Sequence, residues 1–188
     1  MIDKAVLSEN LPDGRFLETN QEPIIVTNSI LCGDHTGAGI LITKSMNITL
    51  EKSIIHGNGQ SQVNGFADTM LQITNWEMGR RVLLTPENWT LRNNAIVGGN
   101  ASQLVVLLRL ASSLWPRFVN SLTSNNNVWF NPGKTTVFNT QGTPSDLPGW
   151  RTTTGQDANS LFTDPRFVDP ANCNFTLLPG NPLLSMQL

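Results

Sequence analysis

An internal repeat constrains this chain more than any other feature. Three segments, which open at Val26, Leu50 and Leu91, follow one pattern. A small polar residue lies three positions after the opening residue, an aliphatic residue two positions further on, and a glycine two positions beyond that. The equivalent sets are Ser29, Ser53 and Asn94; Leu31, Ile55 and Ile96; and Gly33, Gly57 and Gly98. This period-two pattern predicts short strands, with a bend at the polar residue and a corner of positive φ at the glycine.

The repeat predicts a stack of such units, since identical positions can bury their apolar residues against one another from unit to unit. The first two opening residues are 24 positions apart and the next two are 41 apart. The longer interval therefore holds either a loop insertion or a degenerate coil at residues 70–73. Residues 123–130 form a fourth unit, in which Thr123 takes the opening position and Val128 the inward one.

The apolar run from Leu104 to Leu110 allows an alternative, because a buried helix and a buried strand look alike over such a length. Its shortness and its β-branched pair favour a strand. Short β-rich segments also fit a sandwich, but repetition position by position favours an all-β, right-handed parallel β-helix. We expect one domain of about six or seven coils. Residues 1–23 would be an N-terminal cap or irregular lead-in, 24–140 the coils, and 141–188 a C-terminal capping segment.

The composition narrows the classes of partner. Charged residues make up 14% of the chain and the net charge is −2, which gives no basis for binding nucleic acid or an anionic membrane. No stretch approaches the ~20 apolar residues that cross a bilayer. Residues 1–20 lack the apolar core of a signal peptide. We therefore expect a soluble chain without an export signal.

The two cysteines, Cys32 and Cys173, are far apart in sequence. They could close a disulfide, but cysteines so placed are more often small buried side chains, and free thiols are the expectation. Neither cysteine has the short spacing of a zinc site, and no group of acidic residues indicates calcium. We expect no metal and no cofactor.

A family resemblance begins in the C-terminal third. Residues 155–172 (GQDANSLFTDPRFVDPAN) and 175–182 (FTLLPGNP), with 124–130 (SNNNVWF) upstream, resemble the closing segment of many bacterial right-handed parallel β-helix proteins. The resemblance covers residues 120–182. Such proteins include glycoside hydrolases, polysaccharide lyases, epimerases and non-catalytic carbohydrate-binding modules, and they are usually secreted. They are also usually longer, so this chain looks like the C-terminal part of one.

The closing segment predicts a cap. Asp164-Pro165 and Asp169-Pro170 set turns, and prolines remove backbone donors at the end of a sheet. A stack of strands must cover its last edge, which would otherwise recruit another chain. We expect these aspartates to shape the cap rather than to take part in chemistry.

A polar strip is the first candidate site. In the repeat register His56 follows the inward Ile55 and should face outward, while Asp34 aligns with Asn58. With His35, these side chains could bind sugar hydroxyls or supply an acid and a base. A solvated ladder of turns explains the same residues and is the favoured interpretation.

The second candidate is the segment Trp76, Glu77, Arg80 and Arg81. Tryptophan stacks on sugar rings, and arginine binds carboxylates through two hydrogen bonds. A polysaccharide lyase needs a cation for the uronate carboxylate and a base for the α-proton, and Arg80 or Arg81 with Lys44 could serve. A surface loop with a partly buried tryptophan explains the same segment and is the favoured interpretation. No pair among Glu77, Glu87 and Asp68 can be nominated for glycoside hydrolysis.

The leading functional hypothesis is a polysaccharide-binding module or the non-catalytic part of a polysaccharide-acting protein. Weak catalytic candidates are Asp34, His56, Glu77 and Arg80. Binding candidates are Trp76, Arg80, Arg81, His35 and Asn58. One alternative is a complete small lyase or glycoside hydrolase. Another is a structural module without a glycan ligand, which would form a homodimer through an open sheet end.

Overall fold

The computed structural model describes residues 1–8, 15–18, 22–33, 39–43, 46–57, 69–74, 76–77, 80–81, 87–110 and 112–185. Over these residues the chain is mostly short strands, and three parallel sheets hold the majority of them. The expectation of an all-β protein is confirmed. The run that opens at Leu104 is the strand Leu104–Arg109 and not a helix.

The chain visits the three sheets in a fixed order, and we call each set of three strands a unit. The units are β1 (Ile2–Asp3), β2 (Val6–Ser8) and β3 (Arg15–Glu18); β4 (Ile24–Thr27), β5 (Ile30–Cys32) and β6 (Ile40–Thr43); β7 (Ile48–Glu51), β8 (Ile54–His56) and β9 (Thr69–Thr74); β12 (Trp89–Arg92), β13 (Ala95–Val97) and β14 (Leu104–Arg109); β15 (Leu122–Asn125), β16 (Val128–Phe130) and β17 (Phe138–Thr140). A hairpin of β10 (Trp76–Glu77) and β11 (Arg80–Arg81) interrupts the order after β9.

Each sheet takes one strand from every unit. Sheet 1 has the order β1-β4-β7-β12-β15, and sheet 2 has the order β2-β5-β8-β13-β16 followed by β19 (Leu161–Phe162). Sheet 3 has the order β3-β6-β9-β14-β17, and β18 (Thr143–Ser145) closes it in antiparallel fashion. The described strands thus make five units and β19, fewer than the six or seven coils expected. Strands β1, β2 and β3 lie within residues 1–23, the stretch expected as a cap or lead-in, and they are edge strands of the three sheets.

The strand register agrees with the repeat seen in the sequence. Val26 lies opposite Leu50, and Leu50 lies opposite Leu91. Ile55 lies between Leu31 and Ile96 in the next sheet. The predicted equivalence of the three segments is therefore confirmed.

One apolar core contains side chains from all three sheets. Its fully buried members include Leu50 and Leu91 from sheet 1, Ile55 and Trp129 from sheet 2, and Phe138 from sheet 3. Residues two apart on a strand share a face, and β7 follows this rule with Ile48 and Leu50 buried. The repeated apolar positions are thus the ones that build the core.

The fourth unit corrects the sequence-based alignment by one residue. Ser124 lies opposite Leu91, and Trp129 lies opposite Ile96, so Ser124 and Trp129 take the opening and inward positions. Thr123 and Val128, which we expected there, belong to the other face of their strands. A slip of one residue moves every side chain to the opposite face of a strand.

The interval of 41 residues between Leu50 and Leu91 also has an explanation. Strand β9 pairs with β6 and β14 in sheet 3, so it completes the unit that β7 and β8 begin. Residues 70–73 are therefore not a separate degenerate coil. The extra length lies in the connections on either side of β9.

The small polar residue at each bend forms a ladder from unit to unit. Each side-chain oxygen accepts a hydrogen bond from the backbone N–H of the preceding unit. The donor–acceptor pairs are Ala5 and Ser29 (3.3 Å), Ser29 and Ser53 (3.1 Å), Ser53 and Asn94 (3.1 Å), Asn94 and Asn127 (3.0 Å), and Asn127 and Ser160 (2.8 Å). The five polar residues of the ladder are buried, so their side chains satisfy backbone donors in places that water reaches poorly.

A buried carboxylate ends this ladder. Asp157 is 1% exposed, and its Oδ1 accepts hydrogen bonds from Asn127 Nδ2 (3.1 Å) and Trp129 Nε1 (3.2 Å). Its Oδ2 accepts a bond of 2.7 Å from Trp150 Nε1. Trp150 belongs to helix α2 (Leu147–Thr154), and its ring stacks on Phe138 at a centroid distance of 5.0 Å. The segment around α2 therefore covers the end of the core, while the shorter helix α1 (Trp115–Ser121) packs Phe118 against Trp89.

The last residues do not continue this cover. Strands β20 (Phe167–Asp169) and β21 (Asn174–Leu177) form an antiparallel pair around the 3₁₀ helix Pro170–Asn172, and a second 3₁₀ helix spans Pro182–Ser185. This segment packs on sheet 2. Cys173 forms a disulfide with Cys32 of β5, with a Cα–Cα distance of 6.1 Å. The expectation of two free thiols was wrong, because the C-terminal segment lies along sheet 2 and brings Cys173 to β5.

Candidate functional site

The outer face of sheet 2 carries a second apolar cluster. In β5 the side chain of Leu31 belongs to the main core, whereas Ile30 and Cys32 belong to this second cluster. The other sheet residues in the cluster are Ile54, Ala95, Val97, Val128 and Phe130, and the C-terminal segment adds Phe167, Cys173, Phe175, Leu177 and Leu183. The segment from 165 to 183 therefore covers a sheet face that would otherwise expose apolar surface.

A cleft of about 400 Å³ lies where this cover leaves the sheet. Its floor consists of the last residues of strands in sheet 2 and the chain just beyond them, and its wall is the C-terminal segment. The floor residues are Gly33, His56, Gly57, Val97, Gly98, Gly99, Phe130 and Pro132, and the wall residues are Asp164, Pro165, Arg166, Phe167, Pro170, Ala171 and Cys173. A concavity of this volume falls in the range of small-ligand sites.

Glycines leave part of the floor without side chains. Gly33 and Gly57 have φ of +73° and +65°, which confirms the positive φ expected at these two corners. Gly98 does not share that conformation. A Cβ at Gly98 would lie 2.5 Å from Asn131 Nδ2, so this glycine is needed for close packing instead.

Buried amides fix the turn that follows Gly98. Asn131 is 3% exposed, and its Nδ2 donates hydrogen bonds to the carbonyls of Asn100 (2.7 Å) and Gln103 (2.9 Å). Gln103 is fully buried, and its Oε1 accepts the N–H of Gly99 at 2.5 Å. The floor is therefore held rigidly, as a preorganised binding surface requires.

His56 lies at the edge of the floor. It pairs with Cys32 and Val97 across sheet 2, so its predicted outward orientation is confirmed. Its ring meets the ring of Phe175 at a centroid distance of 5.4 Å. Burial under the C-terminal segment lowers the pKa of His56 from 6.5 to about 4, since a low-dielectric site disfavours the charged imidazolium. The solvated-turn interpretation therefore fails for His56, which is a half-buried, neutral imidazole at neutral pH.

The wall is organised around Arg166. Its backbone has a φ of +48°, and its N–H donates a bond of 2.8 Å to Asp164 Oδ1. Asn181 is 4% exposed, and its Nδ2 donates to the carbonyl of Pro165. The Asn181 Oδ1 accepts the N–H of Leu183 at 2.8 Å. These bonds hold residues 164–166 in one conformation beside the floor.

The predicted polar strip is only partly described. Asp34, His35 and Asn58 lie outside the described residues, as do Lys44 and Asp68. Asp34 follows Gly33 directly in the chain, and Asn58 follows Gly57, and both glycines line the cleft. His56 itself lines the cleft, so one of the strip residues belongs to the site that the fold builds.

The second predicted cluster forms a local hairpin. Trp76 lies opposite Arg81, and Glu77 lies opposite Arg80, in the antiparallel pair β10–β11. The fold thus brings these four residues together along the backbone. Glu87 forms an ion pair with Arg117.

Sequence reasoning missed Asp164, Arg166 and Phe130 as site residues. Asp164 was expected to shape a turn, and its bond to the Arg166 N–H does so. The position of that turn beside the floor depends on the C-terminal segment folding back along sheet 2. The nearest signal in the sequence is the second cysteine, Cys173, whose partner lies 141 residues away.

The cleft offers several kinds of chemistry to a ligand. It combines a guanidinium, a carboxylate, a neutral imidazole and an aromatic ring over a floor of glycine backbone. Within the described part of the chain, no three His, Cys, Asp or Glu residues form a potential metal site. No helix among these residues is long and apolar enough to cross a membrane.

Comparisons with known proteins give no assignment: no family model matches the chain, and neither a curated protein nor a solved structure matches it significantly.

Proposed function

We propose that the chain is a right-handed parallel β-helix that binds carbohydrate in the cleft beside His56. The observation that carries the binding proposal is the convergence of Asp164, Arg166, His56 and Phe130 on one concavity of about 400 Å³. Sugars present hydroxyls to polar groups and C–H faces to aromatic rings. A mostly apolar cleft with a few fixed polar groups suits such a ligand.

The β-helix proposal rests on connectivity and on the shared core. Each unit passes through sheets 1, 2 and 3 in the same order, and one apolar cluster draws on all three sheets. The polar ladder at the bend between sheets 1 and 2 links every unit to the next. Right-handed connections are expected because parallel crossovers almost always take that hand. An experimental structure with separate cores for the sheets would contradict this proposal.

A polysaccharide lyase is the second candidate. It is favoured by the presence of a neutral imidazole and a guanidinium in the same cleft. Such an enzyme would bind a uronate carboxylate through Arg166 while His56 removes the α-proton. Because its pKa is about 4, His56 would be a weak base at neutral pH, and we therefore place binding first.

Affinity electrophoresis through embedded polysaccharides tests both candidates when the products are also analysed. Gly33→Asn and Gly57→Asn place a side chain where an added Cβ meets nothing within 4 Å, and asparagine tolerates positive φ. Both should obstruct the cleft and weaken binding roughly tenfold or more. Gly142→Asn is the matched control, since Gly142 also has a positive φ and open space but does not line the cleft.

The outcomes separate the hypotheses. Retardation that the Gly33 and Gly57 variants lose supports the cleft as a binding site. Retardation lost only with Trp76→Ala places the site on the β10–β11 hairpin instead. Unsaturated products that disappear with His56→Gln support the lyase. Absence of retardation and of product with every polysaccharide contradicts a carbohydrate function.

Self-association is a separate proposal for the partner. Strands β1, β2 and β3 are edge strands of their sheets, and an unpaired edge is a template for a further strand. A second copy would pair there through the same edge, with its strands antiparallel to those of the first copy. A mass that rises with concentration in sedimentation supports the pairing, and a constant monomeric mass contradicts it.

A further inference from the structure

The C-terminal segment has a self-contained set of hydrogen bonds over residues 164–185. Strands β20 and β21 pair with each other and with no described strand of the three sheets. The bonds described for side chains here, such as Asn181 to Pro165 and Asn172 to Asp169, also join two residues of the segment. Over the described ranges, no hydrogen bond or ion pair connects residues 164–185 to sheet 2. The segment is thus a separate unit that lies on the sheet.

Two kinds of contact hold this segment in place. The first is apolar, through four side chains in the cluster on the outer face of sheet 2: Phe167, Phe175, Leu177 and Leu183. The second is the disulfide between Cys173 and Cys32 of β5. The main apolar core, by contrast, contains no described residue after Phe162. The units of the three sheets therefore have a core that does not include the segment.

The disulfide determines how far the segment can move. The chain leaves sheet 2 at the end of β19, at Phe162, and the disulfide attaches it to the sheet again at Cys173. With both attachments present, residues 163–172 form a loop that is fixed to the sheet at each end. With the disulfide reduced, everything after Phe162 is attached at one end only. The apolar contacts alone must then hold the segment against the conformational entropy that it gains by opening.

The two sulfur atoms differ in their exposure. Cys32 is fully buried, whereas Cys173 is half-buried and lines the open cleft. A thiolate in solution can therefore approach Cys173 through the cleft while the protein is folded, and burial keeps it from Cys32. Exposed disulfides are more easily reduced than buried structural ones, and they are the ones that serve regulatory roles.

We propose that the Cys32–Cys173 disulfide is a redox latch, and that its reduction by a dithiol frees the C-terminal segment from sheet 2 while the three-sheet core stays folded. This inference does not rest on the carbohydrate function. Opening of the segment removes the wall of the cleft, which residues 164–173 provide. It also exposes apolar residues of the outer face, among them Ile30, Ile54 and Phe130. The cleft is therefore complete only in the oxidised protein.

The reduction follows ordinary thiol–disulfide exchange. A thiolate of the dithiol attacks Cys173 Sγ, the bond between the two Sγ atoms breaks, and Cys32 leaves as a thiolate that takes a proton from water. The second thiolate of the reductant attacks the mixed disulfide and releases Cys173, which is protonated in the same way. The protein gains two electrons and two protons, and the dithiol is oxidised to a disulfide.

The test follows reduction of the full oxidised chain by dithiothreitol in buffer without denaturant. Thiols are counted by alkylation and mass spectrometry, and hydrogen exchange is measured on residues 164–185, with β12 and β13 as the internal reference. A two-stranded hairpin without a supporting sheet is marginally stable. We therefore expect amides of residues 164–185 to exchange roughly tenfold or more faster after reduction. Exchange in β12 and β13 should stay unchanged, and reoxidation should restore slow exchange in the segment.

A matched pair of variants reports the opening without a reductant. Cys173→Ser leaves a single thiol at Cys32, which is fully buried when the segment is in place. Cys32→Ser leaves a single thiol at Cys173, which is half-buried in that state. If the segment opens, a maleimide should label Cys32 in the first variant about as fast as Cys173 in the second. Glutathione, which has one thiol, should leave its mixed disulfide with the wild type on Cys173.

Four results would overturn the latch. The first is a disulfide that dithiothreitol reduces only when urea unfolds the whole chain. The second is complete reduction with unchanged exchange in residues 164–185, which would mean that the apolar contacts hold the segment by themselves. The third is faster exchange in β12 and β13 to the same extent, which would mean global unfolding. The fourth is a thiol at Cys32 that stays unreactive in Cys173→Ser while Cys173 is labelled in Cys32→Ser.

Discussion

The half-buried His56 gives the stability of the protein a pH dependence that can be calculated. His56 has a pKa of about 4 in the folded protein and 6.5 as the reference for an unfolded chain. Between these values the unfolded chain binds a proton that the folded protein does not, so stability falls as the pH falls. Above pH 6.5 the full stability is present, and below pH 4 this group causes no further loss. The difference corresponds to about 3 kcal/mol, an upper value because His56 is only half-buried.

His56→Val isolates this contribution. The neighbouring strand has Val97 at the same register position, and Val97 is buried in the apolar cluster on the outer face of sheet 2. Urea denaturation of both proteins with the disulfide intact, at several pH values between about 4 and 7, gives the two free energies of unfolding. We expect the free energy of unfolding of the wild type, minus that of the variant, to fall by about 2–3 kcal/mol as the pH is lowered from about 7 to about 4. His56→Gln, which keeps a polar side chain without the titration, should show the same change in pH slope.

Two results would refute the reasoning. The first is a pH slope that the Val and Gln variants share with the wild type. The second is a histidine resonance, absent from the His56→Val spectrum, that titrates near pH 6.5 instead of near 4. Either result would mean that the C-terminal segment does not bury His56, and the wall of the cleft would then be in the wrong place.

Three further predictions concern the fold. Replacing Cys32 and Cys173 with serine should lower the free energy of unfolding by about 5 kcal/mol on the chain-entropy model, since the bridge closes a loop with a sequence separation of 141; denaturation with and without reductant checks this, and equal midpoints would contradict it. Asn94→Ala should cost about 3 kcal/mol because buried partners at Ser53, Leu50 and Asn127 lose their bonds. Asn94→Ser should recover part of this loss, and a null effect of both changes would contradict the ladder. Gly98→Ala should cost about 1–3 kcal/mol by displacing Asn131, whose side chain an added Cβ would meet at 2.5 Å; an unchanged melting temperature would show that the turn can adjust.

The repeated part of the fold could be predicted because its physics is local and periodic. The positions of Ser29, Ser53 and Asn94 recur with aliphatic residues two positions later, and parallel in-register pairing follows from that recurrence. Polar side chains stack for the same reason, since each bend leaves a buried N–H that needs an acceptor. Where the pattern weakens, the prediction fails. In the fourth unit Ser124 stands where the other units have an aliphatic opening residue. Aligning the unit on Thr123 instead assigned Val128 to the inward position, which belongs to Trp129.

The cleft could not be predicted in the same way, because its two sides are distant in sequence. The floor comes from turns at Gly33, Gly57 and Gly98, and the wall comes from residues 164–173. No period links these segments. The glycines and His56 could be identified as special, but Arg166 acquires its place only when the C-terminal segment lies along sheet 2. The pair Cys32 and Cys173 was the sequence feature that indicated this contact. It was not used, because widely spaced cysteines are more often small buried side chains than disulfides.

The sequence of the strands in sheet 2 nevertheless indicated that another segment would cover the outer face of this sheet. Strands covered on both faces lack the alternation of polar and apolar residues that a solvated sheet shows. In β5, β8, β13 and β16 the residues on either side of the inward position are mostly apolar: Ile30 and Cys32, Ile54 and His56, Ala95 and Val97, Val128 and Phe130. Sheet 1 differs, because Glu51 and Arg92 face outward there and form an ion pair. The face that needs a cover is thus encoded in the strands, and the aromatic residues Phe167 and Phe175 supply it. His56 is the polar member of this face, and it lies where the cover meets the cleft, in contact with Phe175.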